Sequence, residues 1–283
     1  PAAPTGIAAG SAFITVNSNA PLFSPASHTQ LDALHAVSTP DARTVEFGGL
    51  AQVHRDTVDS VMSRLPWVLG LIAVGTFALL FLLTGSLVLP VKAIILNVLS
   101  LTATFGTLVW IFQDGNLGAL GTTSTGTLVA ILPILLFCIA FGLSMDYEVF
   151  LISRIREYWL KLSKNQSGLT SREANNESVA LGLAYTGRVV TAAALIMAIT
   201  FGALAAAEVS FIRMFGLGLA IAVIVDATVV RMVLVPAFMH LMGEWNWWAP
   251  APLARLHQRF GISESAPERE IQQPNSSQRT TTK

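Results

Sequence analysis

The chain has 283 residues, 53% hydrophobic and only 12% charged, with a mean hydropathy of +0.60. A soluble domain carries about 25% charged residues, so composition excludes an ordinary soluble protein. Basic and acidic side chains balance at 17 each, and that neutrality leaves no electrostatic footprint for nucleic acid.

Residues 1–65 read as a soluble leader of α+β type. Ala12 to Asn17 alternates and is rich in β-formers, so it predicts a strand. Ser24-Pro25 predicts a helix start running to Val37, and Arg43 to Phe47 predicts a second strand ended by Gly48-Gly49. Gln52 to Arg64 then predicts a helix that stops at Pro66. His28, His35 and His54 lack metal-ligand spacing and read as packing residues. Pro1 is not preceded by methionine and no signal peptide is legible, which suggests a piece of something longer.

Five apolar spans follow, at about 66–84, 89–112, 128–153, 188–207 and 211–239. Each is long enough for a hydrocarbon core of about 30 Å. None alternates, so they predict helices rather than barrel strands. Lysine and arginine set the orientation. Lys92, the Arg154–Arg188 connection and the tail share one side, predicted to be cytoplasmic. The leader and the Gln113–Thr127 loop then face outward, in the plasma membrane. Thr170 to Glu173 fits a capping box for a cytoplasmic helix within 154–187, with Gly187 as a hinge into the fourth span. That span carries a small-residue stripe, Ala192, Ala193, Ala194 and Ala198. In the tail, 241–283, Trp245, Trp247 and Trp248 predict an interfacial belt. The polar run beyond Ser263 predicts disorder. Cys138, the single cysteine, reads as a small core residue.

The spans contain carboxylates, and an acid in a bilayer is a functional hypothesis by default. Asp146 lies about 27 Å along the third span at helical rise. Glu148 is two residues on, about 200° around the helix, and reads as a supporting residue nearer Arg154 and water. Gly142, one turn from Asp146, predicts close approach of another helix, and Tyr147 adds a hydroxyl. In the fifth span, Asp226 has Arg188, Arg231 or a backbone donor as candidate structural partners. Arg231 itself reads as a snorkelling or loop-pairing residue. A carboxyl in low dielectric can exchange protons near neutral pH, which is what a relay requires. Asp146 and Asp226 could also be an intramembrane protease pair, but Ile224-Val225 stands where such enzymes carry Gly-x-Gly. No catalytic residue, metal ligand or cofactor is expected, and the protein is expected not to be an enzyme.

Gly142 to Glu157 (Gly-Leu-Ser-Met-Asp-Tyr-Glu-Val-Phe-Leu-Ile-Ser-Arg-Ile-Arg-Glu) closely resembles the Asp-Tyr span of actinobacterial MmpL transporters, in the RND superfamily. Leu89-Pro90-Val91-Lys92-Ala93, Gly187-Arg188 through Ala194, and Val225-Asp226 through Pro236-Ala237 match in the same order. The resemblance covers about Thr44 to Pro236. It implies the end of a second periplasmic porter domain followed by a five-helix bundle, the C-terminal half of a transporter. It implies Asp146 and Tyr147 as a proton relay, protons as coupling ions, and a lipid or hydrophobic substrate exported across the plasma membrane. The partner Asp-Tyr pair would lie in an N-terminal half absent from this chain. A non-transporting membrane module, such as a sterol-sensing-like regulator or inactive remnant, is the alternative. Homo-oligomerisation is left open.

Overall fold

The computed structural model describes residues 6–8, 11–22, 24–37, 45–121, 131–164, 168 and 170–260. Gly6–Ala8 (β1) and Ser11–Phe13 (β2) pair antiparallel, with Ile7 opposite Ala12. The helix Pro25–His35 (α1) starts where the sequence places it. Ser24 accepts from the Ser27 N–H at 3.2 Å, and Pro25 sits where its missing N–H costs nothing. Val45 to Phe47 is not a strand; Arg43 and Thr44, the start of the expected second strand, lie outside the described residues.

Helix α2, Leu50–Thr84, joins two elements that the sequence separates at Pro66. The proline is tolerated inside a helix whose apolar windows favour continuity. Gly85 ends it in a left-handed conformation (φ 70°), donating its N–H to Phe81 at 2.8 Å. The second span is α3, Val88–Leu108, with a π turn over Val109–Gln113. The third is α4, Ile131–Lys164. It runs well past Ser153, because Arg154 to Lys161 satisfies its charges locally: Glu157 accepts from Arg154 at 2.6 Å and from Lys161 at 2.8 Å. Residues 128–130, the expected start of this span, and the tail beyond 260 lie outside the described residues.

Helix α5 covers Ser171–Ala203 without a hinge at Gly187. Its start carries the reciprocal capping bonds, Glu173 N–H to Thr170 Oγ1 at 3.3 Å and Thr170 N–H to Glu173 Oε2 at 2.9 Å. Thr186, buried, donates to the Gly182 carbonyl at 2.7 Å, and Val190 and Ala194 bury the next turns, so nothing bends the helix there. The fifth span is compound: α6, Ser210–Val225; a π-helical segment, Asp226–Leu234; and α7, Val235–Met242. A short amphipathic helix, α8, follows over Ala251–Phe260.

Among the described residues, five helices are thus long and apolar enough to cross a membrane. They bury two main apolar clusters. One gathers Leu96, Ile152, Ile155 and Met239, and the other Leu108, Leu136 and Leu219. Close approach depends on glycine: a Cβ on Gly216 would lie 2.6 Å from the Phe201 carbonyl oxygen, and one on Gly182 would lie 2.5 Å from Ile155 Cγ1. Near the α7 end, Asn175 donates to the Met239 carbonyl at 3.0 Å and accepts from the Trp247 indole at 3.0 Å. Trp247 also stacks on Trp159, with centroids 5.1 Å apart. Of the expected aromatic belt, Trp245 and Trp248 are exposed, whereas Trp247 packs inward.

Candidate functional site

Helix α4 has two polar faces. Ser144 and Glu148 are four residues apart and therefore share one face, which the bundle buries. Cys138, Gly142, Asp146 and Phe150 follow one another at the same spacing on the opposite side, and that side is open. Asp146 and Cys138 are exposed, Phe150 is 40% exposed, and a Cβ on Gly142 would meet nothing within 4 Å. One expectation is corrected here. Cys138 is not a core residue, because the buried turns of α4 run through Leu132, Leu136 and Ala140. The space beside Gly142 is open.

Glu148 is also not on an open face of α4. It is 4% exposed and interacts electrostatically with Lys92, Arg231 and Asp226. Arg154, its expected neighbour, pairs with Glu157 instead.

Asp226 and Arg231 form a buried ion pair at 2.5 Å. An ordinary α-helix would set residues five apart about 140° away from each other. The π-helical segment bonds each carbonyl to the N–H five residues on, which stacks Arg231 on Asp226. Asp226 also accepts from Ser144 Oγ at 2.7 Å, and Arg231 donates to the Ser144 carbonyl at 2.6 Å. The guanidinium carbon lies 5.0 Å from the Tyr147 ring centroid. Arg231 is 3% exposed, so it does not snorkel. Among the open candidates for Asp226, Arg231 is the partner and Arg188, exposed on α5, is not.

Tyr147 packs against the ion pair and reaches α5. Its ring covers Arg231, and its hydroxyl lies 3.8 Å from Met197 Sδ on α5. A small cavity between α4, α5 and α6 is lined by Ser144, Tyr147, Ala194, Met197, Asp226 and Arg231. Among the described residues, no three His, Cys, Asp or Glu side chains gather as a metal site.

Sequence reasoning missed two members of this arrangement. Lys92 reads as a loop charge that sets orientation, yet it lies inside α3 at 6% exposure. Ser144 reads only as part of a motif. The available signal for Lys92 was its place: four residues into an apolar helix, a turn before another apolar run.

The sequence model of the MMPL family matches residues 11–262. The chain belongs to the MMPL family. This MMPL chain is 45% identical over 228 residues to the membrane protein SCO6666 of Streptomyces coelicolor, a match covering 80% of the chain and 31% of that protein. It is 38% identical over 244 residues to the trehalose monomycolate exporter MmpL3 of Mycobacterium tuberculosis, covering 86% of the chain and 25% of the exporter. It is 36% identical over 228 residues to the mycolic acid-containing lipids exporter MmpL11 of Mycolicibacterium smegmatis, covering 81% and 23%. The chain therefore spans about a quarter to a third of the length of these relatives.

Proposed function

We propose that this MMPL chain belongs to the C-terminal half of a proton-motive-force-driven exporter of lipids or other hydrophobic molecules, with Asp146 and Tyr147 as its proton relay. One observation carries the reading: Asp146 stands in the middle of an open apolar stripe of a membrane helix, between Gly142 and Phe150. A carboxylate facing lipid costs at least a few kcal/mol, so this stripe is built to meet another surface. A first half of the transporter, with its own acid and hydroxyl, is that surface. A proton on Asp146 removes the charge and changes how tightly the two halves pack. A few kcal/mol of difference suffices to move a two-state equilibrium most of the way.

Tyr147 fits the relay because it adjoins Asp146 in the chain and carries a hydroxyl beside a small cavity. Arg231, fixed by Asp226, holds the ring, and the hydroxyl lies 3.8 Å from Met197 Sδ. Asp226, Arg231 and Arg188 are supporting residues in this account.

Lipid export is supported by the relatives named as lipid exporters. In the same reading, residues 1–65 end an extracytoplasmic porter domain, and the charge-rich ends of α4 and α5 and the tail are cytoplasmic. The work is transport, not catalysis. The test is Asp146→Asn in the full-length protein. Lipid export is lost while expression and membrane insertion are unchanged; normal export by this variant contradicts the relay.

A further inference from the structure

We infer that Glu148 is a second proton-binding site, enclosed on the side of α4 that Asp146 does not face, with Lys92 as its counter-charge across the α3–α4 interface. Nothing in the relay reading requires it, and it stands whether or not Asp146 carries protons.

The inference starts from burial and unmet bonding. Glu148 is 4% exposed and Lys92 is 6% exposed. Glu148 Oε1, Lys92 Nζ, and Arg231 Nε and Nη1 are all buried with no hydrogen-bond partner. Arg231 spends Nη2 on Asp226 and the Ser144 carbonyl. Asn97, one and a half turns beyond Lys92 on α3, is 2% exposed with both amide atoms unbonded. Buried polar atoms in a native fold are bonded or hydrated. The unmet atoms of Glu148, Lys92 and Arg231 mark a place that takes internal water, and water is how a proton reaches a buried acid.

The charges then decide what a proton does there. The groups facing Glu148 are Lys92 from α3, and Asp226 and Arg231 from the π-helical segment; on its own helix, Tyr147 lies beside Arg231. With both acids ionised, two cations meet two anions and the cluster is neutral. Asp226 is bonded to Arg231 and Ser144, so both its oxygens are engaged. Glu148 has no such bonds on Oε1 and is the acid free to change. A proton delivered by water forms an O–H bond at its carboxyl and leaves the cluster with one excess positive charge, shared by Lys92 and Arg231. Those cations sit on two different spans, so the proton loosens the electrostatic tie between α3 and the fifth span. The proton site and the helix contact that it weakens are the same four side chains.

Infrared spectroscopy of the purified chain in lipid nanodiscs tests this, titrated in H2O and D2O. The expected result is a protonated-carboxyl stretch that titrates, is lost in Glu148→Gln and survives in Asp146→Asn. An identical titrating band in Glu148→Gln overturns the inference, as does the absence of any such band in the unchanged chain. If Glu148→Gln does not fold, Glu148→Asp replaces it: a displaced band supports the site and an unmoved band overturns it. The counter-charge role is read separately from thermal unfolding. Lys92→Met alone lowers the Tm, and adding Glu148→Gln recovers part of the loss. Strictly additive losses overturn the pairing.

Discussion

Asp146 and Glu148 lie two residues apart on α4 and on opposite sides of it, the first exposed and the second 4% exposed. One helix thus carries one acid toward an open surface and another into the bundle. A rotation or tilt of α4 would move both at once, which is a simple way to couple an outer contact to an inner one.

The Asp226–Arg231 pair should be structural, and costly to break from one side. Removing a single partner of a buried pair leaves an uncompensated charge worth about 3–5 kcal/mol. Arg231→Met should therefore lower thermal stability strongly. Asp226→Leu combined with Arg231→Met should recover much of that loss, because neither charge remains. Unfolding followed in nanodiscs measures both; equal stability of Arg231→Met and the unchanged chain would remove the pair from the account.

Glycine has different work at two sites. At Gly216 an added methyl would press on the Phe201 carbonyl oxygen at 2.6 Å. Gly216→Ala should cost about 1–3 kcal/mol by overpacking. Gly142→Ala, with open space around it, should leave this chain as stable or slightly more so, since alanine favours a helix by about 0.5–1 kcal/mol. Gly142→Leu should spare folding of this chain yet impair export by the full-length protein. Export unaffected by leucine there would argue against a partner surface on that face.

Helix α8 should dock in a pH-dependent way. Arg156 donates to His257 Nε2 at 2.8 Å, so the docked ring is neutral at that nitrogen. Burial, and then the Arg156 charge, hold the His257 pKa below its ordinary value of about 6.5. The undocked ring takes up a proton more readily than the docked one, so docking is fully present above about pH 6.5 and weakens as pH falls through the window below. A spin-label distance between α8 and the Gly85 end of α2 should broaden on acidification and stay constant in His257→Phe. The same acid response in His257→Phe would exclude the ring as its cause.

The five spans were legible because each is an apolar block of bilayer length, and that signal needs no tertiary information. The capping box at Thr170 was legible for the same reason: it is local. What escaped depends on neighbours. Pro66 breaks a helix by local rules, but α2 continues through it. Arg231 looks like a snorkelling residue until the π-helical segment turns it back onto Asp226, and no α-helical wheel places those two together. Lys92 looks like a loop charge until α3 starts at Val88 and carries it inside. The two-residue spacing places Glu148 away from Asp146 on α4, but its depth is set by α3 and the fifth span rather than by its distance from Arg154.

The relay itself is tested most directly by proton flux. Proteoliposomes holding the full-length transporter, an internal pH-sensitive dye and lipid substrate would be given an imposed pH gradient. The account predicts substrate-dependent dissipation of the gradient by the unchanged protein and none above background by Asp146→Asn, with Tyr147→Phe slowed. Unchanged flux through Asp146→Asn would contradict it.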